Sequence, residues 1–501
     1  MRAFPEAAIR IRLGKVGWVI ANAFLCAALA FVQVLLGGDL SSSAMFAGAT
    51  FFGFLAVLEA NVTTALGILN LLLVGRFLLG AYVTKNLLMG ESITARMSAP
   101  EETAAVMLLG FAGVWAGTAA VCRNVRSLPQ FRVRVDPRNL LVLSLVFFIV
   151  GGISSIAVRI VGADDAVGGV WGIAKSIAPM RILALPALML YLWSTDSRRW
   201  LTHPMVLSCA LLLLVLGVLS SSKQNMAEPL VIYFLMAVAR YGWRHPVAWM
   251  SIPLTIAIFQ FFIFPIGQYA RQAGAEHKNA REAAIATADI TWGYLTDSAY
   301  RAYIQRFVTG SDRTEKPLSY LGEDIGAYGR LAMIGEADRL VSATKMYGYT
   351  GWETIRDALL LQVPYFLYPN KPQLGTNNFL GRYTGDLRPE DMSTQVSYGF
   401  MANAYNVSGF ATVFPLSVIT SFFVLGLLAL MASGPVYANP WSFAAVIGAH
   451  QSYVEASFSG QFSVFHAPIL AVVVLLIVFL VEWVLRQVTP KGIQSPVALL
   501  R

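Results

Sequence analysis

Outside residues 267–400 this chain is a succession of apolar runs, each about as long as a helix needs to cross a bilayer. That pattern constrains the fold more than any motif does. In hydrocarbon the backbone must satisfy its own hydrogen bonds, so runs of this kind become helices. Hydrophobic residues make up 56% of the 501 and charged residues only 13%, a balance outside the range of ordinary soluble domains. Twelve spans can be read: 16–36, 43–59, 62–83, 103–121, 140–162, 177–195, 204–220, 228–241, 247–266, 408–431, 441–458 and 463–485. The expected fold is an all-α integral membrane protein with about twelve transmembrane helices and one large, mainly helical loop. It divides into 1–266 (the first nine spans), 267–400 (the loop) and 401–501 (the last three spans and the C-terminal tail).

The Lys/Arg bias of the short connections sets the orientation. With the N-terminus inside, one side carries Arg2, Arg10, Arg12, Lys15, Arg123, Arg126, Arg132, Arg134, Arg138, Arg198, Arg199, Arg240, Arg244, Arg486, Lys491 and Arg501. The opposite short loops carry only Lys85, Arg96, Lys175 and Lys223. Both termini are therefore expected in the cytoplasm and the long loop outside. The net charge of +9 is a topology signal that anionic lipid heads accommodate, and nucleic acid has no place in it. The first span lacks a small-residue cleavage site and reads as a retained anchor. Cys26, Cys122 and Cys209 lie in or beside spans, which leaves the loop without a disulfide framework or a cysteine metal site.

Some cations break the inside bias. Arg76, Arg159 and Arg181 sit within spans, and Lys175 and Lys223 lie at the same outward level. An ionised group in hydrocarbon is expensive and is a functional candidate by default. One reading is an anion site near the outer face, suited to a lipid-linked phosphate or diphosphate, because a guanidinium binds phosphate through a planar fork. The other is snorkelling to head groups, or a buried pair with Glu228 or Glu455.

Residues 267–400 hold 14 Lys/Arg, 15 Asp/Glu and 12 of the 19 tyrosines. Helices are expected over about 276–308, 326–346 and 351–363, the last stopped by Pro364. On an unbroken second helix Arg330 and Arg339, nine residues apart, point to opposite faces. Arg339 has Glu336 three residues before it as a surface partner, which leaves Arg330 to face a site. The loop aromatics could stack on sugar faces or build the core of a small cap. There is no Gly-x-Ser-x-Gly elbow, no HExxH and no nucleotide-type phosphate loop. His203, His245, His277, His450 and His466 are scattered, so metal ligation is not expected.

From Gly329 to Gly409 the order of motifs resembles the Wzy-type polymerases of O-antigen and exopolysaccharide. The residues that carry the resemblance are Gly329-Arg330-Leu331, then Val363-Pro364-Tyr365-Phe366-Leu367-Tyr368-Pro369-Asn370-Lys371-Pro372. Ser393-Thr394-Gln395-Val396-Ser397 and Ala404-Tyr405-Asn406-Val407-Ser408-Gly409 follow. The span layout with one large late loop is similar too. The resemblance implies an inverting, metal-independent glycosyltransferase of the membrane-embedded C type in the bacterial inner membrane, with its loop in the periplasm and no cofactor. It would join repeat units carried on undecaprenyl diphosphate, beside a flippase and a chain-length regulator as partners.

On that basis Arg330 is the expected catalytic cation, with Glu323 and Asp324 as proton acceptors and Glu336 and His466 as further candidates. Lys371 matches a motif position and would face the diphosphate. Arg159, Arg181, Lys223 and Arg271 join it on topology alone. Tyr368, Tyr405 and Trp352 would face sugars. The related ligases depend on a loop histidine, and His277 lies far from the matching motifs, which favours polymerase over ligase. Two other classes compete: a lipid-linked glycan transporter, and a scaffold whose loop docks a chain-length regulator.

Overall fold

The computed structural model describes residues 15–124, 139–161, 177–195, 200–219, 223–241, 246–274, 280–309, 332–363, 376–389, 396–431, 449–455 and 467–488, with positions 174, 320–321, 367–368, 446, 457–458 and 460. Among the described residues every regular element is a helix. Seven helices are long and apolar enough to cross a membrane: Val16–Leu35, Leu40–Ala60, Ala65–Met89, Pro100–Asn124, Asn139–Val158, Pro253–Ala270 and Phe410–Leu430. Shorter apolar helices cover Ala178–Ser194, Pro204–Val218, Asn225–Ala237 and Leu476–Leu485. The region expected as a span at 441–458 is described only in part, and there it makes one π-helical turn, Gln451–Glu455.

The helices are inside-out relative to soluble ones, as lipid requires. On the first, Phe24 and Phe31 are 73% and 64% exposed, whereas Asn22 and Gln33 are buried. Those two polar side chains tie the helix to its neighbours. The Asn22 amide donates to the Phe51 carbonyl at 3.0 Å, and Gln33 accepts the Ile93 amide at 2.6 Å.

Deeper in the bundle, Asn70 donates to Thr118 at 3.1 Å and to the Ala56 carbonyl at 3.3 Å, and it accepts from the Tyr453 hydroxyl at 3.0 Å. Four segments are thus pinned through one amide. Helices Pro100–Asn124 and Phe410–Met431 pack along a run of small residues. A Cβ on Gly113 would stand 2.7 Å from the Phe414 carbonyl, and one on Gly117 would stand 2.7 Å from that of Val418. Backbones meet that closely in membranes where glycines recur every fourth residue.

The polar stretch folds in two unlike halves. In the first, the helix expected over 276–308 is broken into Ala280–Thr296 and Ser298–Thr309. Asp297 makes the break by accepting the amides of Ala299 and Tyr300, which starts a new helix in place of continuing the old one. This hairpin closes on Phe264–Gly274 around its own small core of Phe264, Ile266, Ile290, Tyr294, Ile304 and Val308.

The second half is woven into the main bundle. Helix Ile334–Tyr347 starts later than the expected 326, since Ala332 and Met333 are not helical. The phase argument for Arg330 and Arg339 therefore does not hold, because no unbroken helix joins them. Gly399 then leads helix Phe400–Ser408, whose residues are buried from Phe400 to Val407, and Gly409 turns the chain into Phe410–Met431. The Phe400 ring stacks on Tyr453, the same residue that reaches Asn70. The chain is therefore already buried in the bundle before helix Phe410–Met431 begins, and the span expected at 408–431 has a buried half-helix in front of it.

Candidate functional site

Where the re-entrant chain meets the bundle, two ordinary helical ladders give way to π-helical turns. Gly75–Leu79 is one, inside the Ala65–Met89 span, and Gln451–Glu455 is the other. A π turn adds a residue to the ring and re-aims both side chains and carbonyls, and such turns cluster at functional sites. Each carries one member of a charge pair. The Arg76 guanidinium lies 2.8 Å from the Glu455 carboxylate, with side chains 25% and 22% exposed. The second reading of Arg76, pairing with Glu455, is the one found. The pair still leaves the Arg76 Nε buried without a partner, so the guanidinium keeps donor capacity in reserve.

Within the same π turn the Arg76 carbonyl accepts the Met333 amide at 3.0 Å. That bond fixes the point where the chain downstream of Gly329-Arg330-Leu331 meets the bundle. In the same turn Phe77 is fully buried, and Gly399 lies flat against its ring: a Cβ there would stand 2.3 Å from Phe77 Cζ. Beside Glu455 the Ser457 amide donates to Asn377 at 3.3 Å. Asn377 belongs to helix Thr376–Tyr383, which follows the proline-lysine run. The described flanks of three motif-bearing segments therefore meet the chain within two residues of this pair, at the Arg76 carbonyl, the Phe77 ring and the Ser457 amide.

Above it, Asp338 closes the arrangement. It accepts the amides of Ser98 and Ala99 at 2.7 and 3.0 Å and the Thr103 hydroxyl at 2.9 Å. Those groups open helix Pro100–Asn124, so Asp338 caps a helix more than 230 residues before it in the chain. Burial lifts its carboxyl above the usual range against the pull of the three donors. The Tyr320 hydroxyl donates to the Ile93 carbonyl at 2.6 Å, its ring lies 4.7 Å from the Lys85 ammonium, and Lys345 pairs with Glu102. At the rim Arg339 reaches Asp386 at 2.6 Å and Glu336 at 3.5 Å, and the Tyr398 hydroxyl donates to Asp386 at 2.6 Å.

Several expected site residues lie outside the described ones: Glu323, Asp324, Arg330, Lys371 and His466. The same holds for the side chains of Arg159, Lys223 and Arg271, whose backbones belong to helices Asn139–Val161, Lys223–Tyr241 and Phe264–Gly274. Arg181 is described and is not at the Arg76 pair. It donates to Ser155 at 2.7 Å and to the Ala178 carbonyl at 3.0 Å, and it lines a small cleft with Asn225 and Glu228. Trp352 is 59% exposed and Tyr368 half-buried, whereas Tyr405 is buried with its ring against Tyr349 and Phe410.

The residues that sequence reasoning passed over are Glu455, taken only as a counter-ion, and Gly399. A signal for the second existed. No Lys, Arg, Asp or Glu occurs from Met392 to Val454, so the charge-free run begins well before the span at 408. No family model, curated protein or solved structure matches this chain.

Proposed function

We propose that the protein polymerises polyprenyl-diphosphate-linked oligosaccharide repeat units at the outer face of a bacterial inner membrane. In this reading the chain crosses the membrane twelve times, with both termini cytoplasmic and residues 267–400 in the periplasm. The observation that carries it is the convergence at Arg76–Glu455. The described flanks of the three segments that resemble Wzy-type polymerases pack beside Arg76, whose Nε has no partner.

In the reaction a sugar hydroxyl of the acceptor attacks the anomeric carbon of the donor. The bond from that carbon to the diphosphate breaks, its electron pair leaves with the diphosphate, and configuration inverts. The hydroxyl proton passes to a carboxylate, for which Glu323 and Asp324 are the proposed acceptors. Pre-placed positive charge stabilises the leaving diphosphate, and Arg330, Lys371 and Arg76 supply it.

The test uses purified protein with a lipid-linked oligosaccharide and EDTA, without nucleotide. A ladder of longer lipid-linked chains is expected, and none from Arg330→Ala at normal expression. Absence of any ladder from the unaltered protein would sink the reading. A charge pair within the spans also suits a flippase, and movement of the same lipid across vesicles without chain growth would select that reading.

A further inference from the structure

The hairpin Ala280–Thr296 and Ser298–Thr309 presents apolar side chains on a side that no other described element covers. Trp292 is 70% exposed and Leu295 is 48% exposed, and the two share one helix face. Their level is fixed by the residue between them. The Tyr294 hydroxyl donates to the Phe261 carbonyl, and its ring meets Phe262 edge-on. Phe261 and Phe262 are themselves exposed, at 57% and 42%, on the apolar helix Pro253–Ala270. Beyond them, Phe264–Gly274 turns polar with Gln268, Arg271 and Gln272. Trp292 and Leu295 therefore lie within one helical turn of the residue that anchors the hairpin to an exposed apolar stretch of helix Pro253–Ala270.

The hairpin also packs on helices Asn139–Val161 and Pro204–Leu219. Those helices expose Ile149, Ile153 and Ile156, and Leu207, Leu211 and Leu212, so apolar surface flanks it on those sides too.

The corner also caps its helix ends. Helix Ala280–Thr296 leaves carbonyls open at its C-terminal end, as every helix does. Arg301 donates to two of them, those of Tyr294 and Leu295, at 2.9 and 2.8 Å. Asp297 takes the amides that open the next helix, and the Thr296 hydroxyl turns back to the Trp292 carbonyl. Caps of this kind serve helices in water too, and against lipid they leave fewer bare backbone groups at the corner.

We infer that this corner is a membrane foot, with Trp292 and Leu295 inserted among the head groups and upper acyl chains of the outer leaflet. Tryptophan suits that depth because its ring is apolar and its N–H can still find a partner. The foot fixes the height of the hairpin over the bilayer, so the polar stretch starts from a surface held by lipid. This inference is independent of the glycosyl-transfer reading.

The test places p-benzoylphenylalanine at position 292 in the full chain, in nanodiscs, and irradiates it. Intact-mass spectrometry then looks for phospholipid adducts. Position 24, on the lipid-facing side of the first helix, must form adducts, and position 352, exposed elsewhere on the polar stretch, serves as the aqueous control. Adducts at 292 several-fold above those at 352 are expected, with the same at 295. Yields at 292 and 295 no higher than at 352, with position 24 reacting, would overturn the inference. Position 295 decides the matter if the 292 variant does not fold.

Discussion

The two halves of the polar stretch are alike in composition and opposite in architecture. Residues 280–309 close on themselves, with a private core and a corner sealed by Asp297 and Arg301. The described residues of 332–408 form no separate core. Ile334, Leu340, Tyr398 and Phe400 belong to the main core, among side chains from the membrane-crossing helices. The difference teaches that charge density along a chain does not say how deep that chain lies. What decides is whether the apolar residues between the charges can bury one another locally or need a partner from the bundle. The hairpin rests mainly on its own small core and on Phe264–Gly274, whereas the woven half shares the core of the bundle.

The sharpest way to break that contrast is Gly399→Ala. Gly399 has φ +75° and ψ 152°, a combination essentially reserved for glycine, and a Cβ would strike the Phe77 ring. Backbone strain and overpacking together are expected to cost about 4 kcal/mol. Thermal unfolding in detergent should register it as a drop of the main transition. An unchanged midpoint would mean that the re-entrant helix is not part of the bundle's cooperative unit.

Next in size is Arg76→Ala, which strands Glu455 in a mostly apolar setting at about 3 kcal/mol, the low end for a pair that is a quarter exposed. Arg76→Ala with Glu455→Ala should recover most of that stability, because the orphaned charge is gone, and still fail to extend glycan. Recovery of extension along with stability would make the pair merely structural.

Asp338→Ala comes third. Three donors at the head of helix Pro100–Asn124 lose their acceptor, and about 2 kcal/mol is expected because water can reach only part of the site. Asp338→Asn keeps an acceptor oxygen and should cost less. The matching change in the hairpin, Asp297→Ala, removes an ordinary cap at about 1 kcal/mol. It should raise amide exchange in 291–303 alone. If it lowers the main transition as far as Asp338→Ala does, the hairpin is not autonomous.

How much of this could be read beforehand follows from the range over which each cause acts. The crossing helices are written in consecutive residues, so spans such as Leu40–Ala60 and Pro100–Asn124 stand out directly. Arg76 was visible as a charge out of place, but Glu228 and Glu455 were equal suitors, because nothing local distinguishes a partner 379 residues away. The break at Asp297 was legible in kind and missed in practice: the flanking helical pattern outweighed one capping residue. The late start of Ile334–Tyr347 was not legible at all. The helix begins just after Met333, whose amide is taken by the Arg76 carbonyl some 250 residues earlier.

The smallest effect tests the contrast through pH. Glu91 sits in the turn that receives the woven half, beside Ile93, whose carbonyl takes the Tyr320 hydroxyl. The hydrogen bond from Lys85 holds its carboxyl below the usual range, with Arg96 adding to the pull at 2.7 Å. A group whose folded-state pKa is depressed contributes stability above its unfolded pKa, about 4.3 for glutamate, and loses it as pH falls through the lower folded value. The turn should therefore hold from neutrality down to about pH 4 and loosen below it. Hydrogen exchange over residues 91–99 and 334–340, corrected for the intrinsic rate at each pH, should rise in both segments together. Loosening confined to 91–99 would show that the ties made by Asp338, Met333 and Lys345 hold the woven half to the bundle without help from this turn.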